Sequence, residues 1–75
     1  MNVEAVMNDY AKISDEQNTL VVVVKRNPRV RDVVFNVYVP SPARRGYIRC
    51  MNENSTWDEA MDDAMCVYRI IMALR

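Results

Sequence analysis

The apolar positions of the first ten residues recur at the spacing of a helix. The side chains that do so are Val3, Val6, Met7 and Tyr10. Positions three or four residues apart lie on one side of an α-helix. The pattern therefore predicts a short amphipathic helix over residues 2–13, followed by a polar connection over residues 14–19.

Three segments in the middle of the chain have the composition of β-strands. Residues 20–24 are an unbroken aliphatic run, and residues 47–51 follow the only glycine, Gly46. In residues 30–39, Val33, Phe35, Val37 and Val39 would form one apolar face of a strand. Asn27-Pro28 is typical of a turn, and Pro40 and Pro42 end the second strand because proline cannot donate to the ladder. The first strand does not alternate, so we expect both of its faces to be covered and the strand to be either central or at an interface.

The last segment is predicted to be a helix that begins after an N-cap at Ser55 or Thr56 and runs to the C-terminus. One stripe at helical spacing should pack on the sheet; it consists of Trp57, Ala60, Met61, Ala64, Tyr68, Ile71 and Met72. The opposite side is acidic in its first half, with Asp58, Glu59, Asp62 and Asp63. Its second half is apolar, with Cys66, Ile70, Ala73 and Leu74.

Together these elements predict a single small α+β domain over residues 1–75, in the order α-β-β-β-α. It would be a three-stranded antiparallel meander packed by the C-terminal helix, with a short N-terminal helix. This order resembles that of double-stranded-RNA-binding domains, in which the last helix opens with phosphate-binding lysines. Residues 55–60 here read Ser-Thr-Trp-Asp-Glu-Ala, so the resemblance does not extend to that function. The joint at Thr56-Trp57-Asp58-Glu59-Ala60 also looks like the strand-to-helix joint of small antitoxin-type and phage inhibitor domains.

The final helix is apolar on every side over its last ten residues, and one sheet face cannot cover all of that surface. Either the N-terminal helix or a second chain must cover it. A domain this small gains most from sharing its core, which favours a homodimer. The predicted interface consists of Cys66, Ile70, Ala73 and Leu74.

Composition narrows the function classes. The 75 residues include no histidine and one glycine, which excludes Ser-His and Cys-His pairs, imidazole-bound zinc and a glycine-rich phosphate loop. The longest aliphatic run is five residues, far below the ~20 that span a bilayer. Cys50 and Cys66 are expected to be free, buried thiols in a reducing cytoplasm. The sequence predicts a cytoplasmic protein that is not an enzyme and has no cofactor, no metal and no membrane contact.

Charge is segregated along the chain although the net charge is zero. Residues 1–18 hold one basic and four acidic residues (−3), residues 19–49 hold seven and one (+6), and residues 50–75 hold two and five (−3). The candidate phosphate contacts in the basic segment are Lys25, Arg26, Arg29, Arg31, Arg44 and Arg45. Charges that keep strand edges from aggregating are the alternative explanation.

The acidic side of the final helix has three interpretations. Asp58, Glu59, Asp62 and Asp63 could bind an oxygen-ligated cation, although a solvent-facing helix offers no cage. They could mimic a nucleic-acid backbone or dock on a basic partner. They could also be a solvated face whose acids complement the helix dipole.

These observations favour a non-catalytic protein that occupies a site on another protein or on a nucleoprotein complex. A phage or mobile-element inhibitor of a bacterial nucleic-acid-handling complex, such as an immunity effector, is the specific hypothesis. Direct nucleic-acid binding through the arginine-rich loops and a structural subunit of a larger assembly are the alternatives.

Overall fold

A computed structural model describes residues 1–75 and contains one five-stranded antiparallel sheet and one helix. The strands are β1 (Asn2–Val6), β2 (Tyr10–Ser14), β3 (Val21–Pro28), β4 (Val33–Pro40) and β5 (Tyr47–Asn54). They lie side by side in sequence order. The helix α1 (Trp57–Ala73) follows β5 and packs across one face of the sheet.

The predicted α-β-β-β-α order is wrong, because the N-terminal segment is a β-hairpin and the sheet has five strands. β1 pairs with β2 from Asn2–Ser14 to Val6–Tyr10. Met7 and Asn8, at the bend, have positive φ angles of 53° and 57°, and the Asp9 amide donates to the Val6 carbonyl at 3.1 Å. Positive φ at two successive turn residues is the signature of a tight hairpin turn. The resemblance in order to double-stranded-RNA-binding domains is lost with the N-terminal helix.

The other three strands lie in the segments that the sequence predicts, with different bounds. β3 is the middle strand of the sheet, and three successive valines, Val22, Val23 and Val24, are buried there. The strand continues to Pro28, so Asn27-Pro28 lies at its end and the turn consists of residues 29–32. The second predicted strand begins at Val33 and not at Val30, and the third continues to Asn54.

The helix begins where the sequence predicts. Thr56 is the N-cap, and its side chain accepts a hydrogen bond from the Glu59 amide. Ala60, Ala64 and Tyr68 on the predicted stripe are buried. The small alanines let α1 approach the sheet closely, and the core residues they meet are Ala11, Ile13, Leu20, Val22, Val24 and Val37.

α1 covers β2 to β5 but not β1. All five residues of β1 are exposed, and this strand is one edge of the sheet. At the other end of the helix, the Arg75 guanidinium donates to the Thr19 carbonyl at 2.8 Å and ties the chain end to the β2–β3 connection. Because α1 is the only helix and lies on one side of the sheet, no element of the chain covers the other side.

Candidate functional site

The side of the sheet away from α1, here called the open face, is set by strand alternation. Ala11 and Ile13 point into the core, so Tyr10 and Lys12 of β2 lie on the open face. The strand registers extend the same assignment to the other strands. The open face thereby contains Val21, Val23, Lys25 and Asn27 of β3, Val34, Asn36 and Tyr38 of β4, and Tyr47, Arg49 and Glu53 of β5.

One cross-strand row runs through the middle of this face. Lys12 is opposite Val23, Val23 is opposite Tyr38, and Tyr38 is opposite Arg49. Lys12 and Arg49 thus flank an apolar and aromatic centre, and Glu4 of β1 is opposite Lys12 at the edge of the sheet. Neither Lys12 nor Arg49 has a carboxylate within ion-pair distance, because the only two ion pairs in the chain involve other residues.

Three tyrosines surround Val23 and form a shallow hollow, here called the tyrosine pocket. Val23 is 6% exposed although α1 lies on the other side of the sheet. The pocket has a volume of about 250 Å³ and is lined by Tyr10, Val23, Lys25, Tyr38 and Tyr47. Tyr10 and Tyr47 are 39% and 52% exposed, so aromatic surface is available to a ligand.

A second hollow, here called the arginine pocket, lies beside the first and shares Tyr47 with it. Its volume is about 510 Å³, and its lining includes Arg44, Arg45 and Arg49. The β4–β5 loop that carries two of these arginines is closed by the Ser41 amide, which donates to the Gly46 carbonyl at 2.9 Å. Gly46 has a φ of +115°, which favours glycine at this position.

The six basic residues predicted as phosphate contacts differ in their ion pairing and in their position on the sheet. Arg26 pairs with Asp9 at 3.8 Å, and Arg29 pairs with Glu53, so both charges are compensated within the chain. Arg31 lies in the β3–β4 turn, about 25 Å of strand length from the β4–β5 loop. Lys25, Arg44 and Arg45 remain free of ion pairs and line the two pockets.

Sequence reasoning missed three residues of this site. The sequence pattern predicts a helix that includes Tyr10 and Lys12, and it gives Arg49 a charge but no position on a surface. Alternation over residues 11–14 was the available signal, because Ala11 and Ile13 are apolar while Lys12 and Ser14 are polar.

Hydrogen bonds hold one of the tyrosines in place. The Asn27 side-chain amide donates to the Tyr38 hydroxyl at 2.9 Å and to the Asn36 side-chain carbonyl at 2.7 Å. Asn36 is 1% exposed, and its Nδ2 has no hydrogen-bond partner. The ring of Tyr38 is thus positioned before any ligand arrives.

The acidic residues of α1 are partly engaged in the helix start. The Ser55 hydroxyl donates to the Glu59 carboxylate at 3.2 Å, and the Asn54 amide donates to Asp63 at 3.3 Å. Asp58 and Asp62 are exposed, without a cation. No group of three or more acidic, cysteine or histidine side chains is arranged to hold a metal ion.

The predicted dimer residues are uncovered in the single chain. Cys66 and Ala73 are exposed, and Ile70 and Leu74 are 54% and 82% exposed. Cys66 is therefore not the buried thiol that the sequence predicts. Cys50 is half-buried, and that burial raises its pKa, with a smaller contribution from the negative charge of Asp63.

The two pockets combine aromatic faces with the positive charges of Lys25, Arg44, Arg45 and Arg49. No helix in the structure has the length and apolar character that crossing a membrane requires. No family model matches the chain, and no curated protein or solved structure was found to be similar to it.

Proposed function

We propose that this chain is a non-catalytic binding protein and that its open face binds nucleic acid. The observation that carries the proposal is a set of cations without ion-pair partners around exposed aromatic rings. The five cations are Lys12, Lys25, Arg44, Arg45 and Arg49. Phosphate contacts from lysine and arginine supply most of the affinity of sequence-independent nucleic-acid binding.

The charge distribution supports this surface over the rest of the molecule. Arg26 and Arg29 are compensated by acidic partners, and the exposed side of α1 is acidic in its first half. A polyanion is therefore attracted to the open face and repelled by the helix. The orientation of the bound strand follows from electrostatics before any short-range contact forms.

The experiment is a fluorescence anisotropy titration with labelled oligonucleotides at several salt concentrations. Five phosphate contacts give a slope of about −3.5 in log K against log salt, or a loss of roughly 100-fold in affinity between about 50 and 200 mM salt. Arg45→Ala and Arg49→Ala should each weaken binding and flatten the slope by about 0.7. Arg31→Ala is the matched control, since it also removes one unpaired arginine but lies at the far end of the sheet.

The outcomes separate cleanly. Equal losses for Arg31→Ala and Arg49→Ala would mean that net charge alone matters and that the open face is not the contact. Absence of binding at low salt would reject nucleic acid as the ligand.

Docking on another protein is the second candidate, through the acidic side of α1. Asp58 and Asp62 are exposed and without cations, which suits a basic partner surface such as that of a nucleic-acid-handling complex. A phage or mobile-element inhibitor would act in this way. The double variant Asp58→Lys, Asp62→Lys should abolish such a complex and leave oligonucleotide binding by the open face intact, whereas Arg44→Glu, Arg45→Glu should do the reverse.

We also propose a homodimer through Cys66, Ile70, Ala73 and Leu74. The support is that no part of the chain covers these side chains, because the N-terminal segment forms β1 and β2 on the other side of the core. Light scattering should then give the mass of two chains, and Ile70→Asp should return it to one. A single-chain mass for the unmodified protein at micromolar concentration would reject the dimer.

A further inference from the structure

We infer that the ligand of the open face is a single strand, with one unpaired base in the tyrosine pocket and the adjoining phosphate in the arginine pocket. This inference rests on the proposed function and names the class of nucleic acid that the site accepts. It follows from the shape of the face, the position of the rings and the shared wall between the two pockets.

The shape of the face argues against a duplex. Direct reading of B-DNA needs an element that enters a groove, such as a helix or a two-stranded ribbon. The only helix lies on the opposite side of the sheet, and its exposed side begins with acidic residues. The open face presents strands and the short β4–β5 loop, which suit a strand laid across them.

The three tyrosine rings are placed for stacking on an unpaired base. Tyr10, Tyr38 and Tyr47 stand on β2, β4 and β5, so they span about 14 Å at the usual spacing of strands. Bases inside a duplex stack on each other and offer no free face, whereas unpaired bases stack on aromatic side chains. Val23 supplies an apolar floor, and the hydrogen bond from Asn27 to Tyr38 fixes one ring.

The size of the tyrosine pocket limits what it holds. Small-molecule sites are usually about 300–1,000 Å³, and this pocket of about 250 Å³ is smaller and open to solvent. One flat ring fits that space better than a whole cofactor. Tyr47 forms part of both pockets, so a base stacked there places its own backbone beside Arg44, Arg45 and Arg49.

The test compares four labelled ligands with the full chain at low salt: an oligothymidylate, an oligouridylate, an abasic sugar-phosphate strand of the same length, and a duplex. Base stacking predicts that the abasic strand binds about 5- to 150-fold more weakly than oligothymidylate. The duplex should also bind more weakly than the single strand. The ratio of the affinities for oligothymidylate and oligouridylate shows whether the 2′-hydroxyl contributes to binding, that is, whether the site prefers RNA or DNA.

Two variants at one position assign the effect to the ring. Tyr47→Leu should remove most of the preference for oligothymidylate over the abasic strand, while Tyr47→Phe should keep it. Cys50→Ala, which changes a residue of β5 on the side of α1 and outside both pockets, is the control for disturbance of the strand.

Each contrary result has a distinct meaning. Equal affinity for the abasic strand would overturn the inference and leave phosphate binding by the open face in place. Tighter binding of the duplex would overturn it as well. No binding of any ligand would reject the proposed function itself, and a dimer that Tyr47→Leu dissociates would show that a second copy occupies the face.

Discussion

Replacing Asn36 by valine should stabilise this protein. Asn36 lies in the middle of β4 on the open face and is 1% exposed. Its side-chain carbonyl accepts a hydrogen bond from Asn27, whereas its Nδ2 has no partner. A buried donor without a partner loses its hydration and gains nothing in return.

Three contributions determine the change in the free energy of unfolding. Removing the unpaired donor raises it by about 1–3 kcal/mol, and losing the hydrogen bond from Asn27 lowers it by about 0.5–1.5 kcal/mol. Asn27 keeps its second acceptor, the Tyr38 hydroxyl. Valine also suits a strand better than asparagine, by a fraction of the ~1 kcal/mol range of strand propensities. The expected net gain is about 1 kcal/mol, or 4–8 °C in Tm for a domain of this size.

Urea denaturation followed by circular dichroism measures this change as a higher midpoint at constant slope. Asn36→Asp is the matched control, because it preserves size but buries a carboxylate at neutral pH, and it should lose more than about 2 kcal/mol. A loss of 1 kcal/mol or more for Asn36→Val would refute the reasoning. It would mean that both ends of the amide are hydrogen-bonded in solution.

Three further measurements check separate features. Thr56→Ala should lower the free energy of unfolding by about 1 kcal/mol because it removes the helix N-cap. Thr56→Ser should keep most of this stabilisation, since serine also caps helices. In the single-chain variant Ile70→Asp, a thiol reagent at neutral pH should modify the exposed Cys66 before Cys50, whose burial raises its pKa; preferential labelling of Cys50 there would contradict the helix orientation. Asp15 accepts a side-chain hydrogen bond from Thr19 that lowers its pKa, so its contribution to stability is present above the ordinary carboxyl pKa and is lost as the pH falls through the lowered value. Denaturation midpoints of the unmodified protein and Asp15→Asn should therefore converge in acid.

The N-terminal hairpin shows why a hydrophobic pattern can mislead. Val3, Val6 and Tyr10 fit helical spacing, but in the hairpin they are divided between the two sides of the sheet. Val3 is opposite Ile13 on the side of α1, whereas Val6 is opposite Tyr10 on the open face. A ten-residue window with four apolar matches cannot separate a helix from a hairpin. The positive φ of Met7 has no sequence signal as strong as glycine.

The longer elements were predictable because several signals agreed. The valine run of β3 indicated a central strand, although no element of the chain covers its open face as the run also implies. The stripe of α1 with its N-cap indicated both the start of the helix and its buried side. The candidate site was less accessible to sequence reasoning. It depends on cross-strand register, which brings Lys12 and Arg49 into one row on either side of Val23 and Tyr38, and register is a tertiary property.

The segregation of charge between the two faces has a consequence for the behaviour of the protein in solution. With no net charge and a pI near 6.2, molecules do not repel one another as whole bodies, while the sheet of one attracts the helix of the next. In dilute buffer this attraction favours head-to-tail stacking, and because the Debye length shrinks to about 10 Å at 0.1 M salt, modest ionic strength should disperse the stacks. The protein is thus expected to salt in, with its lowest solubility in nearly ion-free buffer close to pH 6.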